Sequence, residues 1–94
     1  MFARVTVIEG DPARFEEVRE FITSQAAPRS RGLPGLQANY WLGDPTSGRV
    51  LILGVYDSRE SLRATADTVA GWREQDVPAL GGRVVAVDEY EVIA

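Results

Sequence analysis

Val50-Leu51-Ile52-Leu53-Gly54-Val55-Tyr56 is the stretch that decides the fold. It carries no charge and is dominated by aliphatic and β-branched residues, so it reads as a strand. A strand with one wet face alternates apolar and polar positions. A continuous apolar run implies burial on both faces. Phe2-Ala3-Arg4-Val5-Thr6-Val7-Ile8 reads in nearly the same way. The chain offers only two amphipathic helical stretches, enough to cover one face of a small sheet. The other face needs a partner, and a second copy of the chain supplies one. A homodimer with sheets packed face to face is therefore expected.

Outward from this strand the remaining elements follow. A first strand is expected over 2–9. Gly10 turns, Asp11 can cap, and Pro12 suits a first helical position. Helix one then carries Phe15, Val18, Phe21, Ile22 and Ala26 on one face, at spacings of three and four. Residues 28–35, rich in Pro, Gly and Arg, read as a loop. A second strand is expected over 36–42, and Asp44-Pro45-Thr46-Ser47-Gly48 reads as a hairpin turn into a third strand over 49–56. Asp57 or Ser58 caps helix two, with Glu60 placed as in a capping box. Its inner stripe is Leu62, Thr65, Ala66, Val69 and Trp72 or Arg73. Pro78 and Gly81-Gly82 end that region, and a fourth strand is expected over 83–92. The order β-α-β-β-α-β, with right-handed crossovers, makes a ferredoxin-like α+β domain: an antiparallel sheet in spatial order 4-1-3-2 with both helices on one face. Strands one and three are then central, which agrees with their being the most apolar.

Composition sets the bounds on function. The 94 residues, 45% hydrophobic and 26% charged, are those of one globular domain spanning 1–94. No apolar run approaches the roughly 20 residues of a membrane span, and no secretory signal opens the chain, so a cytoplasmic protein is expected. The absence of cysteine fits that compartment. Net charge is −4, and all ten basic residues are arginine. The bland reading is a base-composition bias; the other is that some arginines hold an anionic ligand. Arg4, Arg14, Arg19, Arg49, Arg59, Arg63, Arg73 and Arg83 are scattered in sequence among acids, which argues against nucleic acid. With no His and no Cys, the chain has no imidazole base, no thiolate nucleophile and no Cys/His zinc site. Glu9-Gly10-Asp11-Pro12 lacks the glycines of a dinucleotide fingerprint. No haem, flavin or metal is expected.

Several motifs resemble a known family. Leu33-Pro34-Gly35-Leu36-Gln37-Ala38-Asn39-Tyr40 is similar to the approach to the second strand in antibiotic biosynthesis monooxygenase-like (ABM) domains. Val55-Tyr56-Asp57-Ser58-Arg59-Glu60-Ser61-Leu62 resembles the start of their second helix, and Val85-Ala86-Val87-Asp88-Glu89-Tyr90-Glu91-Val92 their closing strand. The resemblance implies a dimeric α/β barrel. It also implies a cofactor-independent monooxygenase acting on a small aromatic or quinone-like compound. The chain departs from the family at the positions that carry chemistry. Family Trp, His, Asn and Tyr positions fall at Tyr56, Thr65, Ile52 and Leu62. The alternative is therefore a non-catalytic dimeric module that binds a small ligand or another protein.

The residues themselves suggest where a ligand would sit. Gly54 leaves room on the strand face it shares with Ile52 and Tyr56. Across from it helix two offers Thr65, Val69, Trp72 and Arg73, so a pocket between helix two and the sheet is expected, lined by Ile52, Tyr56, Thr65, Val69, Trp72 and Arg73. Asn39 and Trp41, with Leu51 and Leu53, are expected on the other face, at the dimer interface.

Overall fold

Residues 1–94 are described by a computed structural model of the chain. Four strands, β1 (Phe2–Glu9), β2 (Leu36–Gly43), β3 (Val50–Tyr56) and β4 (Arg83–Glu91), form one sheet in the order β2-β3-β1-β4. Every neighbouring pair is antiparallel. This is the ferredoxin-like α+β arrangement expected from the sequence, with the two doubly apolar strands at the centre.

The first helical region differs in extent from the expectation. It opens at Asp11, whose carboxylate accepts from Ala13 N–H at 2.9 Å, and passes through a 3-10 turn (Pro12–Arg14) into α1 (Phe15–Phe21). A π turn (Ile22–Ala26) follows, and then α2 (Ala27–Ser30), so residues 28–30 are helix and not loop. The wide turn explains the survival of the helix through Pro28. Ala27 N–H donates to Ile22 C=O, five residues back, in place of the tighter ladder into which a proline ring would collide.

The second helical region breaks in two. Ser58, and not Asp57, caps α3 (Arg59–Ala64), accepting from Ser61 N–H at 3.0 Å; Glu60 therefore does not stand at the capping-box position. The chain kinks at Thr65 before α4 (Ala66–Ala79), and Pro78 lies within the last turn of α4 and does not end it. The break has a cause in β1. Leu62 C=O accepts from Arg4 Nη2 at 2.6 Å and from the Thr65 hydroxyl at 3.0 Å, so side chains take up a carbonyl at the helix end.

The two faces of the sheet are unlike. On the inner face Arg4, Thr6 and Ile8 of β1 stand opposite Gly54, Ile52 and Val50 of β3 and lie beneath the helices. On the outer face three rows cross the sheet: Ala38, Val55, Ala3 and Tyr90; Tyr40, Leu53, Val5 and Asp88; Leu42, Leu51, Val7 and Ala86. No helix covers them, and Tyr40 and Leu42 are half or more exposed.

The fully buried Leu62 and the helical Gly71, where an added methyl would meet nothing within 4 Å, mark opposite extremes of packing. Leu62→Ala is expected to cost about 2–5 kcal/mol. Gly71→Ala is expected to stabilise by about 0.5–1 kcal/mol, by removing backbone freedom from the unfolded chain. Urea midpoints of the two variants check both signs.

Candidate functional site

A cavity of about 110 Å³ lies between the inner face of the sheet and the helices. Its apolar wall comes from Val18, Phe21 and Ile22 of the first helical region, Ile52 of β3, and Val69 and Trp72 of α4. Gly54 contributes space: a methyl built there would stand 3.5 Å from the Tyr56 ring and 3.8 Å from Asn39 Oδ1, in ordinary contact. The glycine is thus not forced by sterics, and its missing side chain leaves the inner face open at that point.

The polar part of the wall is built on Arg4. This residue is 6% exposed and stands in the middle of a central strand. Its guanidinium donates from Nη1 to the Tyr56 hydroxyl at 3.1 Å and from Nη2 to Leu62 C=O at 2.6 Å and Thr65 Oγ1 at 3.4 Å. None of its partners is a carboxylate. Tyr56 is itself 1% exposed, accepts from Arg4, and has no protein acceptor for its own proton.

A second guanidinium reaches the cavity from α4. Burial holds the pKa of Arg73 below its ordinary value, and the charge of Arg4 pushes it the same way; Glu74 and Tyr56 oppose this less strongly. Arg73 Nη1 is buried with no hydrogen-bond partner, and so is the indole Nε1 of Trp41. On the other side Arg29 pairs with Asp76 at 2.8 Å and lies 4.2 Å from the Trp72 ring centre. Asp76, the acid on the cavity wall, is thus already matched to a cation. No cluster of three or more potential metal-ligating acids, His or Cys exists in the structure.

The structure brings together Ile52, Tyr56, Val69, Trp72 and Arg73 around this space. Thr65 stands apart from them: its hydroxyl is buried against Arg4 and Leu62 and does not line the cavity. Asn39 and Trp41 change sides. They pair with Gly54 and Ile52, so they face the helices, whereas Leu51 and Leu53 face outward. Alternation along β2 shows that Tyr40 and Trp41 point opposite ways but not which way. The register against β3, with its irregularity between Leu36 and Ala38, decides it. Sequence reasoning misses Arg4 as a site residue, because it groups it with the scattered arginines. The signal is nonetheless there: a charge within an otherwise apolar central strand requires a buried partner or a ligand.

No protein-family model matches the chain, and no curated protein matches it in sequence. Solved structures do match. A Deinococcus radiodurans protein provisionally assigned as an antibiotic biosynthesis monooxygenase superposes with a TM-score of 0.78 at 15% identity, over 98% of this chain and 92% of that one. The heme-degrader MhuD from Mycobacterium tuberculosis, with two hemes bound in its active site, gives 0.77 at 16% identity, over 100% and 97%. The monooxygenase ActVA-Orf6 of Streptomyces coelicolor, in complex with nanaomycin D, gives 0.68 at 17% identity, over 99% and 89%. The chain has the fold of these proteins. No helix is long and apolar enough to cross a membrane.

Two substitutions test the polar wall. Tyr56→Phe strands a buried N–H of Arg4 and is expected to cost about 1–3 kcal/mol in urea unfolding. Arg73→Met removes a cation that has no acceptor for Nη1, and is expected to raise the melting temperature. A fall in melting temperature would show that Arg73 holds the fold together.

Proposed function

We propose that the chain binds a small, flat aromatic or quinone-like molecule in the cavity beneath α4, and oxidises it with dioxygen without a bound cofactor. The observation that carries this reading is the cavity itself. Aliphatic and indole side chains line it, and the Tyr56 hydroxyl and Arg73 guanidinium stand at its wall. At about 110 Å³ it suits one ring; an engineered cavity of roughly 150 Å³ holds benzene. A porphyrin does not fit such a space, and the chain has neither His nor Cys to ligate its iron. The fold shared with a monooxygenase that holds nanaomycin D supports a ring-shaped ligand, as does the resemblance of the helix-two motif.

The reaction needs no external reductant when the substrate is an activated ring. A ring CH₂ beside an enol or phenol takes one oxygen atom from O₂ and becomes a carbonyl; its two hydrogens leave with the other oxygen as water. The cavity wall offers donors for the negative charge that develops on the ring oxygen, namely Tyr56 and Arg73. It offers no imidazole or thiolate to remove the proton.

A second reading, binding without turnover, is favoured by one feature. The positions that carry chemistry in ABM domains hold Ile52, Leu62 and Thr65 here, and Leu62 is packed solid.

We further infer a homodimer formed by the uncovered sheet face, because Val5, Val7, Leu42, Leu51, Leu53 and Val55 would otherwise meet water together. Sedimentation equilibrium should give twice the monomer mass, and Leu53→Asp should halve it or unfold the chain.

Binding is tested by titrating the protein with one-ring quinones while following tryptophan fluorescence. Both indoles line the cavity, so Trp41→Phe and Trp72→Phe should each remove part of the quenching. Gly54→Ala should keep the fold and weaken binding, since the added methyl occupies ligand space without a clash. Oxygen uptake with an enolic ring that carries a CH₂, such as cyclohexane-1,3-dione, separates turnover from binding alone. Quenching unaltered in Gly54→Ala and both Trp variants would place any ligand elsewhere.

A further inference from the structure

The polar wall of the cavity is one-sided. Three guanidiniums border it, and of these only Arg29 has an ion pair, with Asp76; Arg4 and Arg73 take part in none of the ion pairs in the structure. Arg4 spends its donors on neutral oxygens. Arg73 Nη1 and Trp41 Nε1 are buried with no protein acceptor, and no protein atom takes the Tyr56 proton. The carboxylate on the wall, Asp76, is bound to Arg29. Buried donors without acceptors cost free energy, and each buried cation raises the cost of the next. The burial of Arg73 and its repulsion by Arg4 are that cost in this molecule. An anion that enters answers these donors and offsets the repulsion between the two cations.

We propose that the ligand enters as an anion: a one-ring aromatic molecule bearing an ionised oxygen, with Arg73 Nη1 as its principal anchor and Trp41 Nε1 and the Tyr56 hydroxyl as further donors. The inference rests on the ring-binding reading above and deepens it by naming the charge state. It also answers the want of a base in the cavity, because a substrate that arrives ionised has already lost the proton that oxidation requires it to lose. The ionisable side chains around the space are Arg4 of β1, Tyr56 of β3, Arg29 of α2, and Arg73 and Asp76 of α4. The chain has no His or Cys, the side chains that ordinarily titrate near neutrality. The pH dependence of binding is therefore that of the ligand.

Calorimetric titration with 4-nitrophenol, nitrobenzene and benzoate between pH 5.5 and 8.5 tests this. Nitrobenzene has the ring but no ionising oxygen, and should bind with an affinity that does not follow pH. 4-Nitrophenol should bind about tenfold or more tightly once it is the phenolate, the worth of a charge-assisted hydrogen bond. Arg73→Met should abolish that gain, while Arg73→Lys should keep part of it. Benzoate separates the sources of the charge: binding like the phenolate marks a site for any anionic oxygen, and failure to bind marks one for phenolates and enolates. Equal affinity for phenol, phenolate and nitrobenzene would overturn the charge proposal and leave ring binding intact. So would a pH gain that survives in Arg73→Met. If no ring compound binds at any pH, the ring-binding reading falls and this proposal with it. Should Arg73→Met fail to fold, the wild-type pH series against nitrobenzene decides alone.

Discussion

The structure depends on one guanidinium that has no counterion. Arg4 sits at the centre of the sheet, within the strand that joins β3 to β4, and reaches from there to the end of α3. Through it β1 is tied to Tyr56 of β3 and to the Leu62 carbonyl where the second helical region breaks. An apolar side chain at this position would fill the same space, but would leave the Leu62 carbonyl short of its closest donor and the Tyr56 oxygen short of its own. That contact lies at the break before Thr65 from which α4 starts. The residue that makes these ties also borders the cavity and adds to its charge.

That double role explains why the two faces of the sheet serve different ends. The outer face is aliphatic and aromatic except for Asp88 on the β4 edge, and is suited to another flat apolar surface. The inner face mixes Val50 and Ile52 with Arg4, Thr6, Asn39 and Trp41. A surface of that kind packs imperfectly against helices, because each polar atom must be answered and each answer constrains its neighbours. Gly54 and the unanswered donors of Arg73 and Trp41 are where the packing stops short, and they border the same space. Sites of binding commonly sit where local rules of packing and hydrogen bonding are left unfulfilled.

Much of the fold is legible in the chain. Strand limits agree to within a residue, the sheet order follows from handed crossovers, and the apolar character of Val50–Tyr56 marks a central strand. Helix ends are less legible. A proline reads locally as a stop, yet Pro28 follows a π turn that accommodates it and Pro78 lies inside the last turn of α4. Part of the cavity lining is legible too: strand alternation and helix periodicity bring Ile52, Tyr56, Val69, Trp72 and Arg73 to its wall. They do not place Asn39, Trp41, Thr65 and Arg4, since each depends on a register or a contact between distant segments.

The sequence by itself determined the element order, the central pair of strands and the absence of imidazole and thiol chemistry, because these follow from local periodicity, chain topology and residue inventory. The tertiary structure decided which way Trp41 points, where the second helical region breaks, and that Arg4 is a buried cation with no acid beside it. Those facts are properties of pairs of residues far apart in the chain. Arg4 and Tyr56 are 52 positions apart and Arg4 and Thr65 are 61 apart, and only folding brings them within hydrogen-bonding distance.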